Sequence, residues 1–448
     1  MEELKSTNVA WKHRAWRYLL DGPRLIQEGY DKSNGAPFEI LAPDNRYVFV
    51  SSPKQVKELD AAPDTVLSLQ GASKQMLQPV YTMHGFDWFN RRGTEGVGFV
   101  RALRTLLTNN IPEILPDLGS LIRTRFQEQH AAQSVVNGTR LSPVYPMIVK
   151  LVVLGNAVSF FGKSLSDNQK FMESALAYVE ETLLCAEVVR LSPQWMAPTF
   201  FNDQADCIQW IMETAPRKSP WTPKRIVHEL MAIWFGSVHA MATTTTFAIQ
   251  DLALRPEYVE PLRAELAQGY EEFQKTGSGL PLLDSFIKES ARLTPVEAQS
   301  MRRCALQPFA LADGTRLAPG EWACTPVRAI MQSPEFYPSP MQFHGFRFAP
   351  ENDIPSADKS LNFRQPSPSK LTDIREDWHV WGVGRMACPG RFYATAIMKM
   401  ITGQIVLNYD CELQEPEAPR WFTWRSSMLP KASTMVAFKP VQEGTKVA

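Results

Sequence analysis

Apolar residues recur at three- and four-residue spacing through most of the chain. Residues 97–107, 145–161, 167–189, 223–254 and 256–275 carry that spacing, which predicts helices. The stretch 256–275 mixes charged with apolar positions and reads as a surface helix. A further helix is predicted over 282–293, with Asp284 as its N-cap and Pro295 just past its end. A last apolar-faced helix covers 393–407. Strand patterns are few. Residues 37–41 and 46–51 flank the turn Pro43-Asp44-Asn45, and 308–311 and 315–319 flank Asp313-Gly314. Residues 421–439 return to strands and turns, whereas 349–377 are polar and proline-rich and read as a long loop. The pattern predicts a mainly α fold with small β-sheets.

The longest uncharged stretch, 230–250, is long enough to span a bilayer. It contains His239 and the run Thr243–Thr246, so it is read as a buried core helix. The N-terminus has no apolar signal-peptide core. Charge is balanced, 47 basic against 47 acidic side chains, which removes any electrostatic reason to expect nucleic acid. The 34 prolines are spread as helix stops and turns, without repeats. The six cysteines form no CxxC pair and fit a reducing compartment; the seven histidines are scattered and give no zinc pattern.

The candidate chemistry lies in Trp381-Gly382-Val383-Gly384-Arg385-Met386-Ala387-Cys388-Pro389-Gly390-Arg391-Phe392. Three glycines and a proline surround one cysteine, and a helix follows. Glycine permits positive φ and close backbone approach to a flat partner. Backbone N–H groups at the helix start, with Arg385 and Arg391, favour thiolate over thiol. Taken alone, the segment reads rather as a buried structural cysteine in a glycine turn.

As a whole, the segment resembles the haem-binding signature of cytochrome P450 monooxygenases, aromatic-Gly-x-Gly-x-basic-x-Cys-x-Gly. Trp381, Gly382, Gly384, Cys388 and Gly390 match it. Further matches follow in order. Glu289-Ser290-Ala291-Arg292 resembles the family's Glu-x-x-Arg, whose members share a helix face. Phe346-Arg347-Phe348 resembles the segment that adds Arg347 to that pair. Residues 235–252, followed by Arg255-Pro256-Glu257-Tyr258, look like the long central helix crossing the haem. The resemblance runs from about Trp11 to Lys439 and is greatest to fungal members.

The resemblance implies a single P450 catalytic domain over 1–448, with haem b between the long central helix and the cysteine-loop helix. Cys388 becomes the axial ligand of the iron. Arg303, Arg101 and Arg104 become candidate partners of the haem propionates, because Arg suits carboxylates. Glu289, Arg292 and Arg347 become a structural triad. Two positions depart from the family on the propionate side: Met386 replaces a usual Arg or His and Met331 a common His. They predict haem held more by packing and less by charge. On the central helix, His239 and Ala240 fall where an acid or its stand-in and a threonine usually relay protons. Thr243 lies three residues on, about one turn away. Two consequences stay open. Water or a polar substrate group delivers the protons, or the enzyme does not perform plain hydroxylation. His239 itself is either a proton donor or a satisfied core histidine.

By the same resemblance, the pocket draws on residues 76–89, on Trp234, Val238, His239 and Met241, on 296–301 with Val296, Glu297 and Gln299, and on 426–429 with Met428. These are mainly apolar and suit a medium-sized lipophilic molecule such as a terpenoid, polyketide or alkaloid. Electrons are expected from an NADPH-dependent reductase docking near Arg385, Arg391 and Lys399. The protein is expected to be a monomer at the cytosolic face of the endoplasmic reticulum, held by an N-terminal anchor absent from this sequence.

Overall fold

The structure is a computed structural model that describes residues 2–83, 102–192, 223–354 and 368–441. Its long helices are α1 (Glu2–Ser33), α2 (Ile111–Ala131), α3 (Val144–Phe161), α4 (Gln169–Leu191), α5 (Pro223–Leu254), α6 (Val259–Thr276), α7 (Pro281–Leu293) and α8 (Arg391–Asn408). α3 is buried nearly all round, from Val144 to Phe161, and packs along α5 in the main core with α2, α6, α7 and α8. An apolar helix with no polar face needs neighbours on every side. By length and composition α3 is the helix among the described residues that could cross a membrane, yet most of it is buried by its neighbours. The uncharged stretch 230–250 lies within α5.

The strands are short. A five-stranded sheet runs β1 (Phe38–Leu41), β2 (Arg46–Phe49), β9 (Trp322–Thr325), β6 (Ser300–Ala305), β3 (Leu67–Ser68). A four-stranded sheet joins β10 (Tyr409–Leu413), β13 (Met435–Pro440), β5 (Thr139–Pro143) and β4 (Val135–Val136). Two hairpins complete the β-structure: β7 (Phe309–Ala310) with β8 (Arg316–Leu317), and β11 (Trp421–Trp424) with β12 (Ser427–Pro430). The expected mainly α architecture is found.

Three details differ from the sequence reading. α1 and α2 carry no expectation above, although α2 has a clear buried face from Ile111 to Phe126. The 256–275 helix opens with a separate 3-10 turn, Pro256–Tyr258. Asp284 is not an N-cap, because α7 already starts at Pro281, where a missing N–H costs nothing. The Asp284 carboxylate instead accepts the Leu371 N–H at 2.6 Å and pairs with Lys399 at 3.3 Å. It thereby fastens the loop ahead of the cysteine segment to α7.

Candidate active site

The cysteine loop is built by backbone bonds that close on themselves. Cys388 N–H donates to the Trp381 carbonyl at 2.8 Å, and Gly382 N–H donates to His379 at 3.0 Å. Trp381 Nε1 donates to the Leu371 carbonyl at 2.6 Å. Gly382 and Gly384 have φ of +75° and +61°, which L side chains rarely adopt. At Gly384 the backbone approaches a carboxylate rather than a flat partner. A Cβ there would sit 2.0 Å from Asp60 Oδ2, on the helix Pro53–Ala61. A Cβ at Gly390 would meet open space.

Cys388 is half-buried at the start of α8. Burial raises its thiol pKa, opposed by the Gly390 and Arg391 N–H groups and by the charges of Arg391 and Arg104. The arginines and helix start therefore do not prevail over desolvation in the free thiol, and a bound cation would reverse that balance. Arg391 also donates to the carbonyls of Thr372 and Cys388, at 3.0 and 3.1 Å, which ties the loop from below. Arg303, on β6, is buried; burial lowers its pKa while Asp60 and Asp64 oppose that. Arg385 donates to the Asp60 and Ala62 carbonyls, at 3.1 and 2.5 Å. Arg104 is exposed on the π-helical turn Ala102–Leu107, and Arg101 lies outside the described residues. Lys399 cannot belong to a docking face, because it is buried on α8 against Asp284 and the Gly279 carbonyl.

Glu289, Arg292 and Arg347 come together in the core, against the 331–344 stretch. Arg292 makes a fork onto Glu289 at 2.7 and 2.9 Å and donates to the carbonyls of Met331, Pro340 and Gln342. Arg347 donates to the same carboxylate and to the carbonyls of Pro338 and Gln342. Burying three charges is tolerable only with this degree of hydrogen bonding.

α5 provides the opposite wall, and its faces separate by exposure. Trp234, Val238 and Met241 are buried in the main core, with Trp234 Nε1 donating to the Ala175 carbonyl at 3.0 Å. On a 3.6-residue helix they stand about 100–160° round from Ala240, on faces turned to the core. Gly236 and Ala240 are exposed and Thr244 half-buried, four residues apart along one face of α5. That stripe lines an opening. Thr243 is fully buried beside Tyr145 of α3, off the stripe, whereas Thr244 lies on it. The reason is geometric: residue i+4, not i+3, follows Ala240 most closely along a face. His239 Nδ1 lies 3.4 Å from the Tyr145 hydroxyl and its Nε2 3.3 Å from the Val179 carbonyl. Burial holds its pKa below the ordinary value. Both ring nitrogens thus meet partners between α3 and α4.

The carboxylate of Glu297 and the amide oxygen of Gln299 are engaged within the protein. The Glu297 carboxylate accepts from Arg302, Ser426 and Ser427, each at 2.6 Å, and Gln299 accepts from Tyr18 at 3.4 Å. These bonds, with Met428 N–H on the Val296 carbonyl at 2.8 Å, seat the β11–β12 hairpin on the 296–299 stretch. Met428 is buried, whereas Val296 is half-buried. No sequence pattern announced the Gly236–Ala240–Thr244 stripe. Its only signal was the smallness of two residues at helical spacing.

Residues 130–438 match the family model described as cytochrome P450, so this chain belongs to the cytochrome P450 family and is an oxidoreductase of the monooxygenase type. Among curated relatives it is 26% identical to the cytochrome P450 monooxygenase olcJ of Penicillium canescens, over 94% of this chain and 82% of that protein. It is also 26% identical to cytochrome P450 monooxygenase janQ of Penicillium janthinellum, over 97% of this chain and 90% of that one. The fold superposes on the retinoic acid-bound cyanobacterial CYP120A1 with a TM-score of 0.66 at 15% identity, covering 96% of both chains. The family implies haem, and the residues fit it. A half-buried cysteine lies at a helix start, and a stripe of small residues on α5 leaves room.

Proposed function

We propose that this enzyme oxidises a medium-sized lipophilic secondary metabolite, a terpenoid, polyketide or alkaloid, using O2 and electrons passed from NADPH through a flavin reductase. The cysteine loop carries the reading: one half-buried thiol at a helix start, held by backbone bonds and two positive-φ glycines. Haem b, bound there, supplies oxygen activation and attack on unactivated carbon.

The chain's own residues divide the remaining work. Cys388 ligates the iron. Trp381, Gly382, Gly384 and Gly390 shape the loop around it. Arg303, with Arg101 and Arg104, serves the propionates, and Glu289, Arg292 and Arg347 brace the loop from behind. The stripe on α5 leaves space for the reacting part of the substrate and keeps bulky side chains away. Ala240 has no proton to give, so Thr244 is the first hydroxyl on that face. Ordered water or a polar substrate group completes the proton path. The enzyme works as a monomer with its reductase at the cytosolic face of the endoplasmic reticulum. Reaction under isotopically labelled O2 tests the reading: product carrying one labelled oxygen supports it.

Ala240 favours a second reading, in which the same fold forms, expands or rearranges a ring instead of hydroxylating. A product without labelled oxygen, made with reductase and NADPH consumption, selects it over the first.

A further inference from the structure

Lys288 lies on α7 with no exposed surface. An amine so buried needs acceptors for its donors and a place for its charge. Its Nζ donates to the Ser369 hydroxyl at 2.9 Å and to the Lys370 carbonyl at 2.8 Å. The same Nζ stands over two aromatic faces, 4.5 Å from the Phe348 ring centroid and 4.7 Å from that of Trp378. Aromatic faces attract a cation, most strongly where water is excluded. Burial lowers the Lys288 pKa to about 8, opposed by the charges of Asp373, Asp284 and Asp377. Asp284, one turn earlier on α7, accepts the Leu371 N–H at 2.6 Å. The two side chains thus grip Ser369, Lys370 and Leu371 in succession. Glu289 and Arg292, further along α7, turn instead to the 331–344 stretch.

From the gripped segment, hydrogen bonds run to both sides of Cys388. The Leu371 carbonyl accepts Trp381 Nε1 at 2.6 Å and Trp378 Nε1 at 3.3 Å. The Trp381 carbonyl in turn accepts the Cys388 N–H at 2.8 Å. The Thr372 carbonyl accepts Arg391 Nε at 3.0 Å, and Arg391 donates onward to the Cys388 carbonyl at 3.1 Å. Trp381 precedes the cysteine and Arg391 follows it. Two arms therefore start from one segment and close on the cysteine backbone from either end. Partners behind a metal ligand fix its orientation, and losing one weakens metal binding by about 10–100-fold.

We propose that Lys288 is a positioning residue of the haem site. It fixes the 369–372 segment, that segment sets Trp381 and Arg391, and these set how firmly the Cys388 sulfur holds iron. The inference rests on Cys388 as the axial ligand.

The test uses the haem-loaded enzyme at one temperature well below melting. Two quantities are followed. One is the rate of haem transfer to apomyoglobin. The other is the share of the reduced carbon monoxide complex in the shorter-wavelength Soret band of haem that has lost its thiolate. Lys288→Met keeps the stem and removes the charge and the donors. It should speed haem loss by about tenfold or more and raise that share. Phe126→Leu, in the core between α2 and the four-stranded sheet, is the comparison. It should lower melting and change neither quantity. Ser369→Ala, at a half-buried loop position, removes one acceptor of Lys288 and leaves the core intact. It should speed haem loss by about threefold, and it decides the question if Lys288→Met does not fold. Trp381→Phe removes the Nε1 donor. Adding Lys288→Met to it should speed haem loss by a smaller factor than Lys288→Met alone, because the two act along one path. A parent without the red-shifted thiolate band overturns the Cys388 reading and this inference with it. Where the parent has that band, haem loss and band share in Lys288→Met that match Phe126→Leu overturn the inference alone. Unchanged haem loss in Ser369→Ala, or full additivity with Trp381→Phe, does the same.

Discussion

Arg347 donates through Nε to both carboxylate oxygens of Glu289, at 3.0 and 3.1 Å, and neither side chain has any exposed surface. Arg292 binds the same carboxylate from the other side. The shared acid pairs with two arginines, and their remaining donors hold the chain from Met331 to Gln342. Removing Glu289 strands both charges. Glu289→Gln should cost about 3–5 kcal/mol of stability. Thermal melting and the fraction of protein that retains haem check it; a variant with wild-type melting and full haem would refute the brace.

Gly384 combines a positive φ with the close approach to Asp60. Gly384→Ala should cost more than about 1 kcal/mol and speed haem loss. Adding Asp60→Ala removes the collision but not the backbone strain, so it should recover only part of the loss. Full recovery would show that the conformation contributes nothing.

His379 is buried beside the cysteine loop, and its pKa is lowered to about 4, chiefly by burial. The unfolded chain binds this proton near pH 6.5, whereas the folded one does not until about pH 4. Folding stability from this group is therefore complete above the unfolded value and lost as pH falls from there towards 4. His379→Phe should flatten that acid limb of a stability–pH curve measured by denaturant titration. An unchanged limb would mean that other groups set it.

The assignment of α5 faces makes opposite predictions for two neighbours. Ala240→Leu should weaken binding of a bulky azole by about tenfold while leaving melting within about 1 kcal/mol, since Ala240 is exposed. Val238→Phe should instead cost about 1–3 kcal/mol by overpacking, because Val238 is fully buried. Spectral titration and melting of both variants separate the faces; the reverse pattern would sink the assignment.

Much of this was legible in the sequence because it rests on local pattern. The helices show their spacing, and the cysteine loop shows its glycines in order. What was hidden depends on long-range partners. Glu297 reads as a free carboxylate until the hairpin serines 130 residues later reach it. Lys399 reads as a surface base until Asp284 of α7 is brought against it. Thr243 and Thr244 are indistinguishable in a run of four threonines, and only the packing of Tyr145 decides which faces the core. Asp44, Glu187, Arg190 and Arg425 pair with one another although no local pattern connects them.

The most direct test of the central claim, ligation of haem iron by Cys388, is the absorption spectrum of the reduced, carbon monoxide-bound protein beside a Cys388→Ser variant. The account predicts a strongly red-shifted Soret band in the parent and its loss in the variant. A haem spectrum without that shift in the parent, or the same shifted band in both, would contradict it.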